Sequence, residues 1–189
     1  MRVKEDKRVF GYEISESGIL ISVNPEWLAF ASENGAHELG PDSVLGRPLW
    51  KFIAGSEVRH LYHAILNRLK VTAGTLNLPY RCDSPDCRRL LNMQVFYIPA
   101  RQTYRFESRI LSSERRKPIS LLEPSQTHGG ELLNMCSWCK KIMLDSSNWV
   151  EPELAIQSLK LFECSTLPYI SHGVCPNCKE HISKELRSL

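Results

Sequence analysis

Apolar positions along this chain change period several times, and the changes mark out its elements. Two short runs rich in β-branched and aromatic residues, 10–15 and 18–23, flank Glu16-Ser17-Gly18, which fits a tight hairpin. Asn24-Pro25 has the form of a helix start with proline in the first turn, and Asn34-Gly35 the form of its end. After a turn-rich segment at 40–48, a longer helical pattern runs from 56 to 71. There Val58, Leu61, Tyr62, Ile65 and Leu69 recur at the spacing of one buried face. Beyond Gly74 the pattern returns to period two, or to short apolar runs, at 75–81, 90–98 and 104–111, with loops at 82–87 and 99–102. These three strands read as an antiparallel meander. The order β-β-α-α-β-β-β predicts an α+β domain whose sheet carries its helices on one side.

The 189 residues allow one full domain and a small appendage. With 42% hydrophobic and 24% charged residues, the chain can bury a core. A net charge of +3 permits a nucleic-acid partner without arguing for one. No run approaches the ~18 consecutive apolar residues of a membrane-spanning helix. The start, Met1-Arg2-Val3-Lys4-Glu5-Asp6-Lys7, is charged and lacks an apolar leader, so a cytoplasmic location is expected.

Seven cysteines change the picture most. Cys82 and Cys87 lie mid-chain, whereas Cys136, Cys139, Cys164, Cys175 and Cys178 fall in the last third. The stretch Leu122-Glu123-Pro124-Ser125-Gln126-Thr127-His128-Gly129-Gly130 between them reads as a linker. The expected division is therefore 1–124 as the α+β domain, 125–134 as linker, and 135–189 as a cysteine-rich module.

Cys136-Ser137-Trp138-Cys139 and Cys175-Pro176-Asn177-Cys178 form a paired C-x-x-C motif with residues 140–174 between the pairs. Four thiolates suit tetrahedral Zn²⁺, and a two-residue spacer lets one turn present two sulfurs. That gap is longer than in a simple zinc ribbon and must hold a further element. A turn at Asn148-Trp149 followed by a short amphipathic helix to about 159 supplies one. A second helix, 177–186, would carry the last two cysteines in its first turn, where the helix N-terminus favours thiolates. This is a treble-clef-like arrangement, with Cys136, Cys139, Cys175 and Cys178 as ligands of a structural zinc. His172 could replace one ligand or donate to one from behind. Cys82 and Cys87 could meet across their turn as a redox pair, with Arg81, Arg88 and Arg89 favouring thiolate. Two reduced surface thiols is the simpler alternative. Cys164 has no assigned role.

The hairpin, the segment Ile19-Leu20-Ile21-Ser22-Val23-Asn24-Pro25-Glu26-Trp27, the turn Val44-Leu45-Gly46-Arg47-Pro48-Leu49-Trp50 and the long helix before three strands together resemble a PAS domain. More narrowly, the chain resembles PAS-like proteins that carry an Arg-Cys-Asp-Ser-Pro segment, here Arg81 to Pro85, and a cysteine-rich tail. The tail, with Met135-Cys136-Ser137-Trp138-Cys139-Lys140-Lys141-Ile142, Trp149 and Ser171-His172-Gly173-Val174, is similar to one found on bacterial PAS-like proteins and some response regulators. The resemblance implies a sensor fold that often encloses a small ligand, a signalling context and a homodimer.

It does not name the cavity ligand. A LOV-type flavin needs an Asn-Cys-Arg-Phe-Leu-Gln-like segment, which the chain lacks. Haem held by the long helix would need an inward histidine. Taking ~100° per residue from Val58, His60 falls near ~200° and His63 near ~140°, away from the apolar face. Both cofactors are disfavoured. No Gly-rich phosphate loop, Ser/His/Asp set or kinase signature is present, and a full Cys₄ zinc set leaves no open position for catalysis. The expected function is a non-enzymatic regulator that contacts a signalling protein. The alternative is a nucleic-acid-binding transcriptional regulator, with Lys140, Lys141, Lys179, Lys184 and Arg187 on phosphates.

Overall fold

A computed structural model describes residues 6–123, 127–161 and 166–189. Cys164 lies outside the described residues.

Strands β1 (Phe10–Ser15) and β2 (Leu20–Val23) form the expected hairpin. Helix α1 (Pro25–Glu33) starts as its sequence predicts: the Asn24 side chain accepts from the Trp27 N–H at 2.9 Å, with Pro25 in the first turn. The same amide reaches back to β1, accepting from Gly11 and donating to the Val9 carbonyl. A single turn α2 (Pro41–Val44) and a 3₁₀ turn at Leu49–Lys51 lead to α3 (Ser56–Thr72). Val58, Ile65, Leu66 and Leu69 are its buried residues, with Leu61 and Tyr62 packed beside them. Leu66 completes the face at i+1 from Ile65, a position outside the predicted set.

Strands β3 (Thr75–Arg81), β4 (Cys87–Ile98) and β5 (Thr103–Arg115) complete an antiparallel sheet in the order β2-β1-β5-β4-β3. The α+β architecture expected from the order of elements is present, with all three helices inserted between β2 and β3. β4 and β5 run longer than predicted, because the ladder continues through Cys87↔Arg115, Arg88↔Glu114 and Arg89↔Ser113. Those polar ends carry no apolar alternation, so backbone pairing extends them where side-chain pattern cannot.

The second sheet has the order β8-β7-β6-β9, from β6 (His128–Cys136), β7 (Ile142–Met143), β8 (Trp149–Val150) and β9 (Leu167–Gly173). Helix α4 (Pro152–Ser158) fills the gap between the C-x-x-C pairs, and α5 (Pro176–Arg187) ends the chain. Most of the expected linker is strand, since β6 pairs in parallel with β9 from Leu132↔Tyr169 to Cys136↔Gly173. Its Gly-Gly and polar start hide that partner, which is more than thirty residues away in sequence.

The two parts pack as one body. Trp138, Val174, Cys175 and Ile182 belong to the hydrophobic cluster that includes Ile14, Ile65, Leu78 and Phe106 of the first sheet. Conversely, Ile119 and Leu121 pack with Met135, Ile142, Ile156 and Leu167 in the second core. Gly55 marks how close the parts come: it sits at φ +85°, and a Cβ there would lie 2.3 Å from the His172 carbonyl oxygen. Only glycine satisfies both conditions.

Candidate metal centre and its surroundings

The first cysteine pair sits in the turn between β6 and β7. The Cys136 N–H donates to the Lys141 carbonyl at 2.8 Å and the Lys140 N–H to the Cys136 carbonyl at 2.9 Å, which closes a knuckle with Lys140 at φ +62°. The second pair sits at the start of α5, where Cys175 is the residue before the helix and Pro176 its first. The next helical turn brings Cys178 round beside Cys175.

These turns converge. The four sulfurs of Cys136, Cys139, Cys175 and Cys178 all lie within 4.8 Å of one another. The Sγ atoms of Cys139 and Cys175 are 3.7 Å apart, close to the ~3.8 Å separation that tetrahedral Zn–S bonds of ~2.3 Å impose. Cys136 and Cys175 are buried, and the Cys175 N–H points to the Cys136 sulfur at 3.4 Å. Hydrogen bonds from the Cys139 and Cys178 thiols, and from the Cys175 backbone, push the Cys136 thiol far below its ordinary range. The Cys136 sulfur in turn pushes Cys139 up to about 12 and Cys178 higher still. One thiolate thus suppresses ionisation of its neighbours, and a divalent cation is what would let all four carry charge together. The donor set could hold a metal ion.

His172 is not part of that sulfur group. It lies on β9, registered against Met135, and borders a cavity between the two parts of the chain. Burial, then the charge of Lys140, lowers its pKa.

Cys82 and Cys87 do not sit opposite one another. The Cys82 N–H donates to the Arg89 carbonyl, while Cys87 exchanges hydrogen bonds with Ser84, and both are free thiols. Cys82 borders one cavity with Tyr80 and Ser108, whereas Cys87 borders another with Asp86 and Arg115. Burial raises the Cys82 thiol, outweighing the nearby Lys140 and Arg89, although Arg81, Arg88 and Arg89 were expected to favour thiolate. Both His60 and His63 are exposed, and His63 stacks on Trp50. Neither enters the core.

The segment from Arg81 has a structural task that its sequence does not disclose. The Arg81 N–H donates to the Trp138 carbonyl at 2.7 Å. Its guanidinium pairs with Asp83 and with Glu151 at the start of α4. Asp83, 1% exposed, also pairs with Arg116 at 3.2 Å, and Arg116 and Arg88 each reach Glu153 at 3.0 Å. This network clamps the β3–β4 turn to the cysteine-rich part. Glu57 adds a second clamp, accepting from the Val174 N–H at 3.2 Å and from Lys179 at 3.1 Å. Sequence reasoning missed Trp138 as well, although a tryptophan between two clustered cysteines is a signal: so large an apolar ring in a tight turn needs a surface to cover it.

An apolar cavity of about 310 Å³ lies between the first sheet and α1, lined by Tyr12, Trp27, Tyr62, Leu91 and Met93 among others. Comparison with solved structures gives the photoactive yellow protein domain of a sensor histidine kinase from Rhodospirillum centenum, at 16% identity and a TM-score of 0.38, covering 53% of this chain and 90% of that one. It also gives the PAS domain of an HTR-like protein from Haloarcula marismortui, at 17% identity and a TM-score of 0.36, covering 57% and 84%. No protein-family model and no curated protein matches the chain. Among the described residues no helix is long and apolar enough to cross a membrane.

Proposed function

We propose that this chain is a non-enzymatic cytosolic regulator in which a PAS-like sensor domain is coupled to a structural zinc module and acts on a signalling partner through protein contacts. The observation that carries this reading is the convergence of four cysteine sulfurs on elements that pack into the sensor's own core. Cys136, Cys139, Cys175 and Cys178 would be the ligands. Zinc bound there supplies a tetrahedral cross-link between the knuckle and the start of α5, with no coordination position left for substrate.

The chain's own residues supply the rest. The Cys175 N–H and the N-terminus of α5 favour negative sulfur, and the knuckle holds Trp138 against the sensor. Tyr62 faces both the sensor cavity and Trp138, so a change in the occupancy of that cavity has a packed route to the module. The output would be a partner docking on the module, in the setting of a homodimer.

The nucleic-acid alternative draws less support. Lys179 is engaged by Glu57, and Lys140 lines an internal cavity. Metal analysis of the purified chain should give one zinc per polypeptide, lost in Cys175→Ser together with the far-UV signal of α5. A folded, metal-free tail would overturn the reading. Binding to duplex DNA at low salt that weakens steeply as salt is added would favour the alternative.

A further inference from the structure

A second cavity, of about 230 Å³, lies between the two parts of the chain, and no role described so far uses it. Its floor comes from the sensor, with Val58, Tyr62 and Met93, and its roof from the module, with Trp138, Lys140 and His172. We propose that this cavity binds a small single-ring aromatic carboxylate, with the ring against the wall that Tyr62 and Trp138 form together and the carboxylate on Lys140.

Size fits first. A dry cavity of ~150 Å³ accommodates benzene, so 230 Å³ leaves room for one ring and a short polar group. The walls suit a flat apolar body: Tyr62, Tyr80, Trp138 and Phe52 contribute aromatic surface, and Ile53, Val58 and Met93 aliphatic surface.

Charge selects the polar end. The Lys140 ammonium donates to the Ser137 carbonyl at 3.0 Å, has no ion-pair partner among the described residues, and keeps two further hydrogens to give. Among the described residues no Asp or Glu lines the cavity, and Glu57 is engaged by Val174 and Lys179. None of the four clustered cysteines lines it either. His172 beside Lys140 adds a ring that can donate a hydrogen bond to a carboxylate.

Because both parts of the chain build the site, a ligand here binds only the docked arrangement and stabilises it. That makes the cavity an input distinct from the one enclosed by the sensor sheet.

The test is benzoate titrated into the purified full-length chain by calorimetry and by ¹H–¹⁵N spectra of the indole groups. The site requires one benzoate per chain, binding at least tenfold tighter than benzyl alcohol. It also requires a shift of the Trp138 indole resonance and not that of Trp27, which lines the larger cavity. Lys140→Met should weaken benzoate at least tenfold while leaving benzyl alcohol and metal content unchanged. Ala54→Trp, at an exposed residue of the lining, should abolish both. Absence of benzoate binding, a shift at Trp27 in place of Trp138, or unchanged affinity in Lys140→Met each overturns the site. The indole shift decides the matter even if Ala54→Trp fails to fold. Benzoate binding in a chain without zinc would defeat the metal reading alone, and zinc without benzoate binding would defeat this one alone.

Discussion

Trp138, carried between two of the clustered cysteines, lies with its ring centroid 5.6 Å from that of Tyr62 on α3. The pair joins a knuckle formed late in the sequence to the middle of α3, the longest helix of the first domain.

Trp138→Ala removes a 4% exposed ring from the shared core and should cost about 3–5 kcal/mol, read as a fall in the denaturation midpoint. Trp138→Phe should cost clearly less, because the indole N–H makes no hydrogen bond that the substitution would break. Equal losses for the two variants would mean that the indole nitrogen does matter, through a group outside the chain.

Metal removal follows from the same packing. Were the cysteine-rich part an independent appendage, chelation would melt it and leave the first sheet untouched. Trp138, Val174 and Ile182 instead share a cluster with Ile65, Leu78 and Phe106, so the metal-loaded chain should unfold in one transition. A chelator should lower the melting temperature of the whole chain. Near-UV dichroism and far-UV dichroism, followed on one heating scan, would diverge if this is wrong.

Much of this was legible in the residues, for local reasons. Asn24-Pro25 caps a helix by its own chemistry, and Val58, Ile65 and Leu69 lie on one face because a helix has 3.6 residues per turn. Cys-x-x-Cys places two sulfurs on one turn whatever surrounds it. What stayed hidden depends on partners distant in sequence. The start of β6 reads as a linker until β9 pairs with it, and Arg81 reads as a surface charge until Glu151 and Trp138 meet it. The facing arrangement expected of Cys82 and Cys87 fails for the same reason: the register of β3 on β4 places Arg81 opposite Leu90, which carries Cys82 to Arg89.

Asp83 is the most exacting member of the clamp. Its side chain is 1% exposed and pairs with both Arg81 and Arg116, while one oxygen also accepts from the Arg89 N–H at 3.2 Å. Asp83→Asn keeps the size and removes the charge, leaving two largely buried guanidinium groups short of a partner. Breaking a buried pair in this way costs about 3–5 kcal/mol. Glu57→Gln, at a far more exposed clamp, should cost no more than about 1 kcal/mol. Urea denaturation of the two variants side by side checks the ranking, and a larger loss at Glu57 would refute it.

Alkaline pH tests the core of the first domain from another direction. Burial holds the hydroxyls of Tyr12 and Tyr80 well above the ordinary tyrosine range and pushes Tyr62 up to about 12. Each keeps its proton in the fold and releases it near pH ~10 when unfolded. The stability these groups contribute is therefore fully present below pH ~10 and drains away as pH rises toward 12. The slope is about 1.4 kcal/mol per pH unit for each tyrosine still protonated in the fold and ionised outside it. Tyrosinate absorbance should rise in two stages, gradually for accessible rings and then in a step that coincides with loss of near-UV dichroism. Tyr62→Phe should shallow the decline by one tyrosine's share, and a single smooth titration with dichroism intact past pH 12 would show that these hydroxyls are in contact with water.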